Sequence, residues 1–269
     1  MKITYLGTAA AEGFPAVFCN CSFCNEARRL GGKNIRTRSQ SLINGDLLID
    51  FPADSYWHFI TNGVEADKLE NLLITHNHSD HFYPRDLFTR RPPYARNARV
   101  ETLHIYCPAS VKDSLAELPK NVDFTVLEPF STVKIGAYEV TALPARHMLE
   151  SDALFYIIKG EKTLLYAHDT GYFYDEVLSY FEEKKIKFDM ISLDCTNVDD
   201  SIPDNATHMG FENIERLTKK LYEIGAIDDN TVKFVNHFSH NGNPIHEIIE
   251  KKAKERGFSA SYDGLSVEF

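Results

Sequence analysis

The stretch Thr75-His76-Asn77-His78-Ser79-Asp80-His81 puts three imidazoles and a carboxylate into six positions, directly after the apolar run Asn71-Leu72-Leu73-Ile74. A short apolar run bounded by polar residues reads as a buried strand, so the donors sit in the loop at its end. Neutral imidazole nitrogens and a carboxylate oxygen suit borderline divalent ions such as zinc, manganese or iron. At a strand end His76 and His78 can project to one side and converge on one ion, while Asp80 and His81 turn toward a second. Four donors cannot saturate two ions. The chain must therefore fold so that distant strand ends deliver more, and it offers His147 after Val140-Thr141-Ala142-Leu143, Asp169 after Leu164-Leu165-Tyr166-Ala167, and His237 after Val232-Lys233-Phe234-Val235.

Donors spaced in this way at the ends of successive apolar runs resemble the metallo-β-lactamase fold superfamily, over nearly the whole chain. The resemblance implies an α/β fold, a four-layer αββα sandwich with a metal pair at one edge of the packed sheets. It implies that His76, His78 and His147 hold one ion, that Asp80, His81 and His237 hold the other, and that Asp169 bridges them. It also implies that the ions activate a water as the nucleophile.

A second signal is Cys19-Asn20-Cys21-Ser22-Phe23-Cys24, three of the chain's five cysteines. Thiols this close rarely pair in ordered disulfides, whereas thiolates converging on zinc are common. The set lacks a fourth donor, for which His240 stands ready just past His237. Cys107 and Cys195 lie in or beside apolar runs and read as packed thiols. The motif C-x-C-x2-C, preceded by Gly7-Thr8-Ala9 and followed by Arg36-Thr37-Arg38-Ser39-Gln40-Ser41, resembles two branches of the superfamily. One is the PhnP-like branch of phosphoribosyl 1,2-cyclic phosphate phosphodiesterases, and the other is PqqB. The PhnP-like resemblance implies a structural zinc on Cys19, Cys21, Cys24 and His240. PqqB proteins typically lack the intact H-x-H-x-D-H set, so its presence here favours the phosphodiesterase branch.

A length of 269 residues, 43% of them hydrophobic, suffices for one large core, and a single domain over 1–269 is expected. No apolar run approaches ~20 residues, and Met1–Gly7 reads as a strand and not as a signal peptide, so a soluble, cytoplasmic protein is expected. A net charge of −10 argues against nucleic-acid and anionic-membrane partners. A homodimer is compatible with this reading. Gly7 to Pro15 reads as a tight loop and not as a phosphate cradle, because no G-K-[ST] follows. A hairpin over 41–50 ends at Asp50, which the superfamily resemblance casts as an acid that holds metal-ligand histidines from behind. Helices are expected near 54–62, 109–117, 174–184, 209–224 and 244–255. Strands are expected at 2–6, 103–106, 124–128, 132–142, 153–158, 163–167, 188–193 and 231–236, with an Asp263-Gly264 turn between two last short strands. His168 reads as packed or hydrogen-bonded.

Arg85, Arg90 and Arg91, with Arg96 and Arg99, make a basic segment beside the metal loop that can steer phosphate toward the ions, or serve as a solvated connection with surface ion pairs. His208 opens a helical pattern, and the resemblance implies that it protonates the leaving group. Asp80 and His208 are thus the expected catalytic residues. The cofactors expected are two divalent ions, manganese or zinc and otherwise iron, and one structural zinc. The expected function is hydrolysis of a small sugar or nucleotide phosphodiester, most simply a cyclic one. The alternatives are a transfer RNA 3′-processing endonuclease, a non-catalytic PqqB-like carrier, and a thioester or lactone hydrolase.

Overall fold

The computed structural model describes residues 1–117, 120–147 and 152–269. In its first half the chain runs β1 (Lys2–Gly7), α1 (Ser22–Leu30), β2 (Gln40–Ile43), β3 (Leu47–Ile49), α2 (Ser55–Asn62), β4 (Asn71–Leu73), β5 (Leu103–Cys107), α3 (Ala109–Asp113), β6 (Val122–Val126) and β7 (Thr132–Ile135). There follow β8 (Tyr138–Pro144), β9 (Leu154–Lys159), β10 (Thr163–Ala167), α4 (Asp175–Lys184), β11 (Met190–Asp194), α5 (Phe211–Glu223), β12 (Val232–Asn236), α6 (His246–Lys254), β13 (Ser259–Ala260) and β14 (Leu265–Glu268).

These strands form two seven-stranded sheets, ordered β14-β1-β2-β3-β4-β5-β6 and β13-β12-β11-β10-β9-β8-β7. Their side chains alternate between faces with the period of two that a strand imposes. Leu154, Tyr156 and Ile158 of β9 enter a core shared with Ile3, Tyr5, Ile43, Leu47 and Ile49 of the other sheet. Phe155 and Ile157 point the other way, into the core with Val177 and Phe181 of α4 and Ile214, Leu217 and Leu221 of α5. Leu48 and Leu72 likewise face outward, toward Phe59 of α2 and Val111 of α3. Both faces of each sheet are covered, which is why the strands read as near-continuous apolar runs. The result is the four-layer αββα sandwich of the metallo-β-lactamase fold.

Two expectations need correction, one is extended and one helix goes unread. The stretch 132–142 is two strands, because Gly136 takes φ +55° and turns the chain between them. The expected helix over 109–117 closes at Asp113. The last two strands flank Asp263-Gly264 but belong to different sheets, so that turn carries the chain across the sandwich. The helix α1 was not read from the sequence: its buried face is only Cys24 and Ala27, too small to show as an apolar stripe, and Cys21 caps its start.

Candidate metal centre

The donors stand at the C-terminal ends of strands from both sheets. The metal loop leaves β4 and is tied across the sandwich to β9, where Leu154 N donates to Thr75 O (2.9 Å) and Tyr156 Oη donates to Ile74 O (2.5 Å). His81 N and Phe82 N both donate to His78 O (3.0 and 2.7 Å), a tight turn that separates the first two histidines from the second donor pair. Asp50, Asp169 and His237, each just past a strand end, adopt left-handed φ values of 64°, 56° and 64°. Side-chain-bearing residues persist there only when the surroundings over-determine them.

Donor atoms of His76, His78 and His147 lie within 4.8 Å of one another, and so do those of Asp80, His81, Asp169 and His237. His78 Nδ1 is 3.0 Å from His76 Nε2 and 3.1 Å from His147 Nε2. Asp169 stands between the sets. Its Oδ2 lies 2.7 Å from His81 Nε2 and 3.4 Å from both His76 Nε2 and His237 Nε2, and its Oδ1 is 3.4 Å from His147 Nδ1. His147 Nδ1, His237 Nε2 and Asp169 Oδ1 are buried without a hydrogen-bond partner among the described residues. Leaving such atoms orphaned costs about 1–3 kcal/mol each. A tetrahedral zinc with bonds of about 2.0–2.1 Å spaces its nitrogens by roughly 3.3 Å, so the residues present fit divalent cations.

The rings are aimed from behind. His81 Nδ1 donates to Asp50 Oδ2 (2.7 Å), which turns Nε2 toward the cluster. Asp50 also accepts from Thr75 N (2.8 Å) and Thr75 Oγ1 (2.9 Å), and Thr75 Oγ1 lies 3.0 Å from His76 Nδ1. Behind Asp50, Gln40 Nε2 donates to its carbonyl (2.9 Å), and His58 Nδ1 donates to Gln40 Oε1 (2.7 Å). His58 Nε2 lies 2.6 Å from Thr37 Oγ1, which in turn is 2.5 Å from Asp263 Oδ2. Gly7 is required beside this chain, since a Cβ there would sit 1.9 Å from Arg38 O and 2.8 Å from His58 Cε1.

On the opposite side Asp194, fully buried at the end of β11, accepts from Met209 N (3.0 Å) and His208 Nδ1 (3.0 Å). Thr196 Oγ1 donates to Asp194 Oδ2 (3.0 Å) and accepts from His237 Nδ1 (2.8 Å). Asp194 and Thr196 were not singled out from the sequence. The signal was present, since Asp194 ends an apolar strand as Asp50 does.

Burial, reinforced by His81, holds His76 well below the usual imidazole range, and burial also lowers His147. Burial pulls His81 down as well, but Asp50 and Asp169 override it and raise it well above that range. Burial pushes Asp169 up, yet His237 and His81 outweigh it and hold the carboxyl well below its ordinary value. For His208, burial is outweighed by Asp194 and Asp169, which raise it to about 9. Nearby cations would oppose that rise.

Cys19, Cys21, Cys24 and His240 form a separate donor set. His240 Nδ1 lies 3.6 Å from Cys24 Sγ and 3.9 Å from Cys21 Sγ. The amide of Cys24 draws Cys21 down to about 6, whereas burial and the neighbouring thiols push Cys24 up to about 12. A second thiolate beside the first needs a cation. Glu12 links the two clusters: it lines the pocket over the His/Asp donors and accepts from Ser239 Oγ (2.6 Å) and His240 N (3.2 Å).

That pocket, about 340 Å³, is lined by Glu12, His78, Asp80, His147, Asp169, His208, His237 and Asn241 among others. Arg85, Arg90 and Arg91 do not line it. Pro84–Arg90 is a 3-10 helix anchored by the buried Leu87, and Arg90 lines a different, apolar cavity. Arg99 is held by Glu65 and Asp67. His168 is packed, 2.7 Å from Ser192 Oγ, and Cys107 and Cys195 are buried.

Among the described residues no helix is long and apolar enough to cross a membrane. The chain is similar over its full length to a crystallised diphosphatase from the PhnP family, with 20% identity, 97% of that chain covered and a TM-score of 0.76. It is equally similar in fold to zinc-bound PqqB from Methylobacterium extorquens, with 16% identity, both chains fully covered and a TM-score of 0.76. These are the two branches its N-terminal motif resembles. Ribonuclease Z of Picrophilus torridus is 26% identical over 46% of this chain, and an octanoyltransferase of Porphyromonas gingivalis is 34% identical over 30% of it. The chain spans 35% and 16% of the lengths of these two relatives. The model of the beta-lactamase superfamily domain matches residues 53–227, well over half of the chain. With its two covered sheets and its edge of histidines and carboxylates, the chain belongs to the beta-lactamase superfamily and has the metallo-β-lactamase fold.

Proposed function

We propose that the protein is a dinuclear phosphodiesterase acting on a small sugar or nucleotide phosphate, a cyclic diester above all. The observation that carries this reading is Asp169, which touches donors of both sets while its own Oδ1, His147 Nδ1 and His237 Nε2 are buried without hydrogen-bond partners among the described residues. His76, His78 and His147 would hold one ion, Asp80, His81 and His237 the other, with Asp169 shared. Such ions supply Lewis acidity and lower the pKa of water.

His208 is the proton donor in this reading. Asp194 engages its Nδ1, so Nε2 remains to protonate the departing oxygen. Asp194 thus fixes the ring as a carboxylate fixes a catalytic imidazole. Cys19, Cys21, Cys24 and His240 would hold a structural zinc. One domain carries both sites, and the net charge of −10 supports a small substrate over nucleic acid or a membrane surface. The PhnP-family diphosphatase supports a phosphate-centred substrate.

The test is metal analysis of the purified protein, followed by turnover on cyclic sugar phosphates, nucleoside cyclic phosphates, inorganic diphosphate, a thioester and a lactone. Cyclic diesters should be hydrolysed fastest. A fully metal-loaded protein that turns over none of the phosphates would overturn the reading.

A further inference from the structure

A second cavity, also about 340 Å³, opens beside α2 and the 3-10 helix Pro84–Arg90, and it shares no lining residue with the pocket over the metal donors. Its walls include Leu48 and Leu72 from the outer face of the first sheet, with Phe51, Phe59 and Leu87. A cavity of this size, mostly apolar with few polar groups, is the ordinary form of a small-molecule site.

Its polar group is out of place. Among the described residues, Arg90 lines the cavity with its Nε buried and without a partner, and its Nη2 donates to Val100 O at 3.3 Å. Asp86 lines the same cavity, yet no ion pair joins it to Arg90. Burial lowers the guanidinium's pKa with no carboxylate to restore it. A cation drawn partly out of water without a counter-charge is costly, and a ligand that supplies the charge recovers that cost. Apolar walls disfavour a bare inorganic anion, whose lost hydration only one cation would replace. A planar carboxylate matches the guanidinium fork, and beside Asp86 a monoanion is better tolerated than a dianionic phosphate.

We propose that this cavity binds a medium-chain aliphatic carboxylate, its chain against Leu48, Phe51, Phe59, Leu72 and Leu87 and its head on Arg90. The site is independent of the hydrolytic centre. The experiment is calorimetric titration of the full-length, metal-loaded protein with decanoate, and with 1-decanol as the uncharged probe of equal chain length. Decanoate should bind one to one, and decanol about ten- to a hundred-fold more weakly, as the loss of a charged hydrogen bond requires.

Arg90→Gln should bring decanoate down to the affinity of decanol. Ala66→Trp, at a half-buried position in the lining, should abolish binding of both. The two variants should keep the wild-type melting temperature and metal content. No saturable binding of decanoate to wild type, or binding unchanged in both variants, would overturn the proposal. So would a dimer whose dissociation exposes the only decanoate binding, which would assign these walls to a subunit contact.

Discussion

The two donor clusters differ in how the chain builds them. Three of the four donors at the N-terminal site come from Cys19 to Cys24, packed by Phe14, Ala27 and Ile245 and lacking any buried carboxylate. The His/Asp site draws on four separate loops from two sheets, and buried polar residues aim its rings from both sides. Soft thiolates in a short loop close around an ion by themselves, as structural sites do. Nitrogen and oxygen donors at strand ends need the whole sandwich to meet, and they leave one face open to a pocket. The segment His237 to His240 serves both, giving one donor to each, and Glu12 pins its backbone. The local site thus holds a wall of the dispersed one.

Removing the shared carboxylate is the sharpest way to break this comparison. Asp169→Ala should lower phosphodiester hydrolysis by roughly 10³- to 10⁵-fold, because several kcal/mol of charge stabilisation depend on both ions being held. Elemental analysis should show the active-site metals depleted and one zinc per chain retained. Loss of that zinc too would mean that the clusters are not separable.

His208 lies at the open face, and its replacement should separate chemistry from metal binding. His208→Ala should keep its metals and lose about 10²- to 10⁴-fold on alkyl or sugar diesters, whose alkoxides leave poorly. It should lose far less on bis(p-nitrophenyl) phosphate, whose phenolate leaves unaided. Equal losses on both substrates would make His208 a positioning residue and send the search for the proton elsewhere.

The local site should respond in stability before chemistry. Cys24→Ser should release one zinc per chain and cost roughly 3–5 kcal/mol, since the binding energy of a structural site is folding energy. Thermal unfolding with metal analysis checks this. Activity should fall through displacement of Glu12 and Ser239, with the His/Asp metals still bound. A variant as stable as wild type would reduce the cysteines to packed thiols.

How legible each part was follows from the same contrast. His76, His78, Asp80, His81, His147, Asp169 and His237 could be read because each follows an apolar run, and strand ends are where a sandwich gathers side chains. Cys19, Cys21, Cys24 and His240 could be read from local spacing. Asp194 carried the same strand-end signal as Asp50 and was passed over, whereas Glu12, Gln40 and His58 could not be read, because each acts through a partner elsewhere in the chain, as His58 does through Gln40 eighteen positions away. For the basic segment sequence spacing carries less: Leu87 is buried against the first sheet and fixes the helix that carries Arg90, which lines the cavity there, and Arg99 is paired with Glu65 and Asp67. The three left-handed residues at Asp50, Asp169 and His237 left no mark in the pattern, because an acid or histidine after a strand looks the same in either conformation.

The smallest effect concerns the polar chain behind the His/Asp cluster, which the cysteine cluster lacks. His58 is buried, and desolvation lowers its pKa from 6.5 to about 4 despite Asp54. Its ring donates through Nδ1 to Gln40, which holds the carbonyl of Asp50. Because the folded pKa lies below the unfolded one, the contribution of His58 to stability is constant above pH 6.5. Below that the unfolded chain binds a proton that the folded chain excludes, and the contribution fades until about pH 4. At 1.36 kcal/mol per pKa unit, the full difference is on the order of 3 kcal/mol. His58→Gln removes this titration while leaving the metal ligands to titrate as before. Urea unfolding of both proteins between pH 7.5 and 4.5 should therefore give stabilities that converge as pH falls, the wild type losing up to about 3 kcal/mol more. Parallel curves would show that His58 takes up its proton in the folded protein as readily as in the unfolded chain, and burial would then not hold a neutral imidazole behind Gln40.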